Sequence, residues 1–276
     1  MSALGPDLAL ASGARIPRIG FGTFRLEPGA ATQAAVEAAL AAGYRHIDTA
    51  SVYGNEADVG AAVRASGLPR EAVWVTTKLW RDDDGPVAAR EALLRSAEAL
   101  DVGPPDLYLL HWPSPQRVAN WEALQALRAE GVVRELGVSN FLERHLDELA
   151  AAGLPRPAAN QLELSPFLYR SRRGIVNRCR AESIALEAYS PLTKGTRLDD
   201  GAVGEIAAAV GRSPAQVLLR WGLQQGFVIL PRSSSPQRMA ENLDLDGFHL
   251  DDAQMALLDG LDEGLVTGWD PATMAP

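Results

Sequence analysis

Tyr44-Arg45-His46-Ile47-Asp48-Thr49-Ala50-Ser51-Val52-Tyr53-Gly54-Asn55-Glu56 reads as a short buried strand ending in a loop that carries an acid and a phenol. Side chains alternate along a strand, so His46 and Asp48 share one face while Arg45 and Ile47 share the other. Asp48 then lies at the strand's carboxyl end, where a barrel enzyme keeps its chemistry. Tyr53 follows on the loop, and Glu56 opens an apolar helical run through Ala57, Val59, Gly60, Ala61 and Val63. Asp and Tyr beside a turn are also ordinary capping and packing residues. The stretch gains weight only if its pattern of strand, functional end and helix repeats.

It does repeat, in both directions. Upstream, Leu8-Ala9-Leu10 and Arg15-Ile16-Pro17 flank the turn Ser12-Gly13-Ala14, which predicts a small hairpin. Arg18-Ile19-Gly20-Phe21-Gly22-Thr23 is strand-like, and Ala30 to Ala42 is an alanine-rich helix stopped by Gly43. Downstream, Val73-Trp74-Val75-Thr76-Thr77-Lys78 is a β-branched run ending in lysine. Gly85 to Leu100 reads as a helix, Asp106 to His111 as a strand, Trp121 to Glu130 as a helix and Arg134 to Val138 as a strand leading into Ser139-Asn140. Helices over Leu142 to Ala151 and Arg172 to Glu182 bracket a short strand at Pro157 to Gln161. Ile184 to Ala188 leads into Tyr189-Ser190-Pro191-Leu192, and Ser213-Pro214 starts another helix with an N-cap and a first-turn proline. Phe227-Val228-Ile229 is the last strand, with helical sequence at Pro236 to Asn242 and Asp251 to Leu261.

The strands number eight, centred on Ile19, His46, Val73, Leu107, Glu135, Ala159, Ile184 and Phe227, each followed by helix-compatible sequence. Alternation of this kind implies a parallel sheet, and eight units imply a closed (β/α)8 barrel. The 276 residues suit one such domain, residues 1–276, for which about 250 is typical. An open doubly wound sheet is disfavoured because no Gly-x-Gly-x-x-Gly follows the first strand. The acidic balance, net charge −9, argues against nucleic acid as a partner, so an anionic ligand needs a local cationic cluster. The single cysteine, Cys179, cannot form an internal disulfide and reads as helix packing in a reducing, cytoplasmic setting. The start of the chain lacks a basic segment followed by an apolar run, and no stretch suits a bilayer, so no membrane partner is expected.

At the carboxyl ends of the strands Asp48, Tyr53, Lys78 and His111 come together. A phenol near pKa 10 is a poor acid at neutral pH, but an adjacent ammonium stabilises the phenolate and lowers that value. Lys78 supplies the ammonium, a buried ammonium needs a carboxylate, and Asp48 is the one at hand. His111 is placed to orient a carbonyl oxygen. A zinc site of His46, Asp48 and His111 is the competing arrangement, although Lys78 and Tyr53 would crowd it.

The motifs Gly43 through Ala50, Tyr53 through Glu56, Thr77-Lys78-Leu79-Trp80, Asp106 through Pro113, Gly137 through Phe141, Asn160 through Glu163 and Ala188 through Leu192 resemble, nearly end to end, the aldo-keto reductase superfamily. Bacterial members similar to 2,5-diketo-gluconate reductase are the nearest in character. The resemblance implies a TIM barrel with an N-terminal β-hairpin cap and an extra C-terminal helix, reducing aldehydes, ketones or keto-sugars with NADPH, and NADH as a possible substitute. Tyr53 would be the general acid, Lys78 and Asp48 its tuning pair, and His111 the orienting group, with no metal.

By the same resemblance Ser139, Asn140 and Gln161 would hold the nicotinamide carboxamide and Tyr189 would stack on its ring, although Asn140 also suits a helix cap. Ser190 to Gly195, including Leu192, would cover the pyrophosphate. Arg232, Ser233, Arg238, Glu241 and Asn242 would surround the adenosine 2'-phosphate, Arg232 replacing the family's usual lysine with a planar fork. Phe24, Trp80, Trp112 and Trp269 would line the substrate mouth. A small carbonyl compound is the expected partner, with no obligate protein partner and a monomeric state. A cofactor-binding regulatory protein with negligible turnover is the alternative.

Overall fold

Parallel strands need crossover connections, and in this chain nearly every crossover is a helix laid on the outside of one closed sheet. The structure, a computed structural model, describes residue 5 and residues 7–273. Met1–Leu4, Pro6 and residues 274–276 lie outside the described residues, and with them the expectation drawn from the chain's first residues. The sheet runs in sequence order through β3 (Phe21–Gly22), β4 (His46–Asp48), β5 (Trp74–Leu79), β6 (Leu107–Leu110), β7 (Glu135–Ser139), β8 (Ala159–Glu163), β9 (Ala185–Tyr189) and β10 (Val228–Leu230), every pair parallel. A parallel bridge between Ile19 and Ile229 closes it into a barrel. Closure is tight at Gly20, where a Cβ would stand 2.5 Å from Leu230 Cδ2 and 2.8 Å from His46 Nδ1.

Period-two alternation separates the inside of this barrel from its outside. Trp74, Leu107, Leu109, Ala159, Val228 and Leu230 form a cluster within it, completed by Leu10 and Ile16 of the hairpin β1 (Asp7–Ala9) and β2 (Arg15–Pro17). The hairpin therefore plugs the end at which the strands begin. The outward residues join two clusters shared with the helices: Ile47 and Val75 in one, Tyr108, Leu110, Val138 and Leu162 in the other.

The helices are α1 (Ala30–Ala42), α2 (Glu56–Ala65), α3 (Pro86–Leu100), α4 (Arg117–Ala129), α5 (Glu143–Ala151), α6 (Arg173–Ala181), α7 (Gly201–Val210), α8 (Pro214–Gln224), α9 (Pro236–Leu243) and α10 (Asp252–Asp259). Caps set many of their ends: Gly43 closes α1 at φ 115°, and Ser213 and Gln216 form a reciprocal pair at the start of α8. Cys179 is buried in α6, and burial pushes its thiol up to about 11, consistent with a packing role.

Three differences from the sequence reading have local causes. Helix α7 was not expected; Asp200 caps it by accepting from the Ala202 and Val203 amides, and Val203, Ile206 and Ala207 are buried. Helix α4 begins at Arg117 rather than Trp121, where Asn120 gives hydrogen bonds to Asp84 and Ser114 and fixes the turn before it. Five of the eight expected strand segments lie one or two residues early: the ladders run on into residues nearer the top of the barrel, such as Ser139, Glu163 and Tyr189.

Two glycines inside helices make opposite predictions. A Cβ on Gly60 of α2 would lie 1.8 Å from the Leu100 carbonyl oxygen of α3, whereas one on Gly204 of α7 meets nothing within 4 Å. Gly60→Ala should destabilise the fold by about 3 kcal/mol through overpacking, while Gly204→Ala should stabilise it by about 0.5–1 kcal/mol by removing backbone freedom from the unfolded chain. Urea unfolding of the two variants checks both signs.

Candidate active site

The carboxyl ends of β4 and β5 and the loop after β4 bring three of the expected groups together. Lys78 is fully buried, and its Nζ donates to Asp48 Oδ1 at 2.6 Å and to the Thr49 carbonyl at 2.8 Å. The same ammonium stands 5.1 Å from the Tyr53 ring centroid. His111, just past β6, packs edge-on against Tyr53 with the ring centroids 5.8 Å apart. Its Nδ1 is buried and has no hydrogen-bond partner among the described residues. The Tyr53 loop is a short 3-10 turn, Ser51–Tyr53, held from below by Asn55, which accepts from Thr49 Oγ1 at 2.8 Å and donates to the Thr23 carbonyl.

Burial alone would strip Lys78 of its proton, but Asp48, then Tyr53 and the Asp48 hydrogen bond, more than offset it and hold the ammonium above its ordinary value. Burial and then Lys78 push His111 well below the ordinary histidine range, so its imidazole is neutral. For Tyr53 the balance differs from the sequence expectation. Burial raises the phenol and Lys78 only partly lowers it again, so its net shift is upward and it keeps its proton at neutral pH.

Beneath the pair lies a buried polar chain. Gln161 Nε2 donates to Asp48 Oδ2 at 2.8 Å and to Glu187 Oε2 at 3.2 Å. The competing zinc arrangement is not assembled: His46 turns its Nε2 to Thr76 Oγ1 at 3.0 Å while Asp48 faces Lys78, and no three metal-binding side chains converge among the described residues.

The other polar residues expected around a dinucleotide lie at the same end of the barrel. Ser139 Oγ donates to the Gln161 carbonyl at 2.9 Å. Asn140, at φ 63°, donates to the His111 carbonyl at 3.0 Å and to Ser139 Oγ at 3.1 Å, and accepts from the Tyr189 hydroxyl at 2.9 Å. It does not cap the next helix, whose N-cap is Leu142. Ser190, Thr193 and Lys194 also take positive φ, so four of the seven non-glycine residues in that region among the described residues line this rim, a clustering typical of ligand-binding loops. Leu192 sits half-buried in the same loop, which Lys194 ties to the tail through the Thr267 carbonyl.

Across the rim, Arg232 and Arg238 are exposed, and among the described residues neither pairs with a carboxylate. Ser233 Oγ accepts from the Ser235 amide, and Ser235 caps α9. Glu241 instead accepts from Ser213 Oγ, and Asn242 is buried against Tyr44, so both hold α9 in place.

Aromatic rings frame the mouth. Phe24 lies 5.1 Å from Tyr53, Trp80 lies 5.2 Å from His111, and Trp269 lies 6.0 Å from Trp80 and 5.8 Å from Trp112. Phe24 and Trp269 are about half exposed, at 48% and 53%. The sequence reading missed Glu187 and also Arg81, whose guanidinium lies 5.7 Å from the Trp80 ring and 5.0 Å from the Trp269 ring. The cue for Glu187 was its in-phase spacing with Tyr189 on β9; for Arg81 it was the position directly after Trp80.

At the carboxyl rim of this parallel barrel the buried Lys78 and Asp48 stand beside the half-buried Tyr53 and the neutral imidazole of His111. The sequence model of the Aldo/keto reductase family matches residues 18–263, and the chain belongs to that family. It is 47% identical over 271 residues to an aldo-keto reductase of Mycolicibacterium vanbaalenii, covering 97% of this chain and 96% of that one. It is 38% identical to the glyoxal reductase of Bacillus subtilis, covering 98% of each. The crystal structure of a Bombyx mori aldo-keto reductase in complex with NADP superimposes with a TM-score of 0.88 at 32% identity, covering 96% of this chain and 95% of that one.

The buried histidine gives this site a pH signature. Burial holds His46 down at about 4, against Asp48 and the Pro17 carbonyl, which favour its charged form. An unfolded chain takes up the proton near the ordinary value of about 6.5, so stability present at neutral pH is lost as pH falls from there toward about 4, by about 3 kcal/mol for this group. His145 is also held at about 4 and adds to the slope. Melting temperature should therefore fall across that window in the native protein and fall less steeply in His46→Gln; equal slopes would mean that His46 is not buried and neutral.

Proposed function

We propose that this protein is an NADPH-dependent reductase of small aldehydes, ketones or keto-sugars, with Tyr53 as its general acid. The observation that carries the reading is Lys78 held between Asp48, at 2.6 Å, and the Tyr53 ring, at 5.1 Å, next to a neutral His111. NADPH, when bound, supplies the hydride. Tyr53 donates its phenolic proton to the carbonyl oxygen, and the upward shift of that phenol keeps the proton available at neutral pH. Lys78 stabilises the phenolate left behind, and Asp48 keeps Lys78 charged. His111, uncharged, orients the carbonyl oxygen by a hydrogen bond without competing as an acid.

The donor set of this rim fits such a cofactor. Ser139, Asn140 and Gln161 offer a hydroxyl and two amides for a carboxamide, which needs both donors and acceptors. Gln161 uses Nε2 for both of its hydrogen bonds, leaving Oε1 to accept. Tyr189 is fixed by Asn140 for stacking, and the Ser190–Gly195 loop with Leu192 would lie over the pyrophosphate. Arg232, Ser233 and Arg238, beside the N-terminus of α9, provide the cationic cluster that an acidic chain needs for a 2'-phosphate. The NADP complex of the Bombyx mori relative supports the cofactor, and the name of the Bacillus subtilis relative supports a small carbonyl substrate.

Two experiments bear on this. Native protein should oxidise NADPH over a panel of aldehydes, α-ketoaldehydes, ketones and keto-sugars while Tyr53→Phe binds NADPH without turning over; binding without turnover in both would instead favour a regulatory module. Arg238→Ala should weaken NADPH by about 1.5–3 kcal/mol and leave NADH nearly unchanged, and equal weakening of the two in a titration would remove the phosphate assignment.

A further inference from the structure

The carboxyl of Glu187 has no role in the chemistry described above, yet it is wired to it. Glu187 lies inside the barrel on β9, fully buried, one turn of the pleat below Tyr189. Its Oε2 accepts from Gln161 Nε2 at 3.2 Å, and the same nitrogen donates to Asp48 Oδ2 at 2.8 Å. Its Oε1 has no hydrogen-bond partner among the described residues and stands 3.9 Å from His46 Nε2. The groups facing it are His46 and Asp48 from β4, Lys78 from β5 and Gln161 from β8, while β10 offers only Val228 and Leu230. One amide thus joins two carboxyls beside a single ammonium. Two buried anions cannot both be compensated by Lys78, and the one with fewer donors is the one that takes the proton.

We propose that Glu187 is a positioning residue that works in its protonated form, holding the Gln161 amide so that Asp48 stays seated on Lys78 and Gln161 Oε1 faces the cofactor. This rests on the reductase reading above. Burial first, and Asp48 second, push the Glu187 carboxyl up to about 8, and His46, neutral at this pH, adds no positive charge to hold an anion there. When Glu187 ionises, a second carboxylate forms under the Asp48–Lys78 pair. The added negative charge opposes phenolate formation at Tyr53, so proton donation slows. Glutamine at this position reproduces the protonated carboxyl in shape and keeps an oxygen for Gln161, but it cannot ionise.

The test compares native protein, Glu187→Gln, Glu187→Leu and Tyr53→Phe as full chains, in NADPH-dependent reduction of one panel substrate from about pH 6 to about pH 10. Expected are a native kcat that falls as pH rises through about 8, a Glu187→Leu kcat about tenfold lower at neutral pH with little change in substrate KM, and recovery of most of that loss in Glu187→Gln without the fall near pH 8. A second readout does not depend on turnover. A carboxyl whose folded value is raised costs stability progressively as pH climbs from the ordinary carboxylate range to its folded value. The melting temperature of Glu187→Gln should therefore gain on the native protein between about pH 5 and about pH 8. Superimposable pH profiles for native and Glu187→Gln, a Glu187→Gln kcat as low as that of Glu187→Leu, or a constant gap in melting temperature would each overturn the assignment. Turnover by Tyr53→Phe would instead defeat the reductase mechanism, so the two failures are told apart.

Discussion

A lysine with no exposed surface has to be paired, and that requirement organises this molecule. Lys78 and Asp48 sit inside the upper barrel, where removing either partner alone would leave an uncompensated buried charge at a cost of about 3–5 kcal/mol. The arrangement is a poor source of stability, since burying two charges costs nearly what their attraction returns. Its value is positional. The ammonium is fixed between Asp48, the Thr49 carbonyl and the Tyr53 ring.

The barrel makes that place possible by dividing its interior along the axis. The lower end is filled by apolar side chains from four strands and by the hairpin, and it keeps water from reaching the charges from below. Between this plug and the rim lie two hydrogen-bonded polar groups, Trp74–Thr76–His46 and Glu187–Gln161, which approach each other at 3.9 Å between His46 Nε2 and Glu187 Oε1. Small residues are what let the strands close around them: Gly20 at the seam and Gly137 opposite, where a Cβ would stand 2.6 Å from Leu109 Cδ2. At the top, the loops carry left-handed backbone at Asn140 and Ser190, directly after the paired strands β7 and β9.

Much of this was legible in the chain. Strand-to-helix alternation gave the barrel because apolar runs of two different periods are written directly in the residues, and Lys78, Asp48 and His111 declared themselves by ending strands. What the pattern did not carry is pairwise. Alternation says that Glu187 faces inward, but not that an amide from β8 links it to Asp48. Chemical type says that Lys78 favours a Tyr53 phenolate, but not that burial of the phenol outweighs it. Helix α7 escaped notice because Gly201 and Gly204 dilute its apolar stripe, and its cap, Asp200, follows another aspartate in a polar loop. Glu241 and Asn242 lie beside the arginines in sequence, yet face the body of the barrel.

The central claim is that the buried ammonium of Lys78 acts on the Tyr53 phenol. Its most direct test is the ionisation of Tyr53 itself, followed by tyrosinate absorbance in native protein and in Lys78→Met, each read against the same protein carrying Tyr53→Phe. The Tyr53 midpoint should move to higher pH when Lys78 is replaced, because burial then acts on the phenol without an opposing charge. A midpoint that stays in place would show that the two groups are neighbours without being coupled, and the proposed mechanism would fail with it.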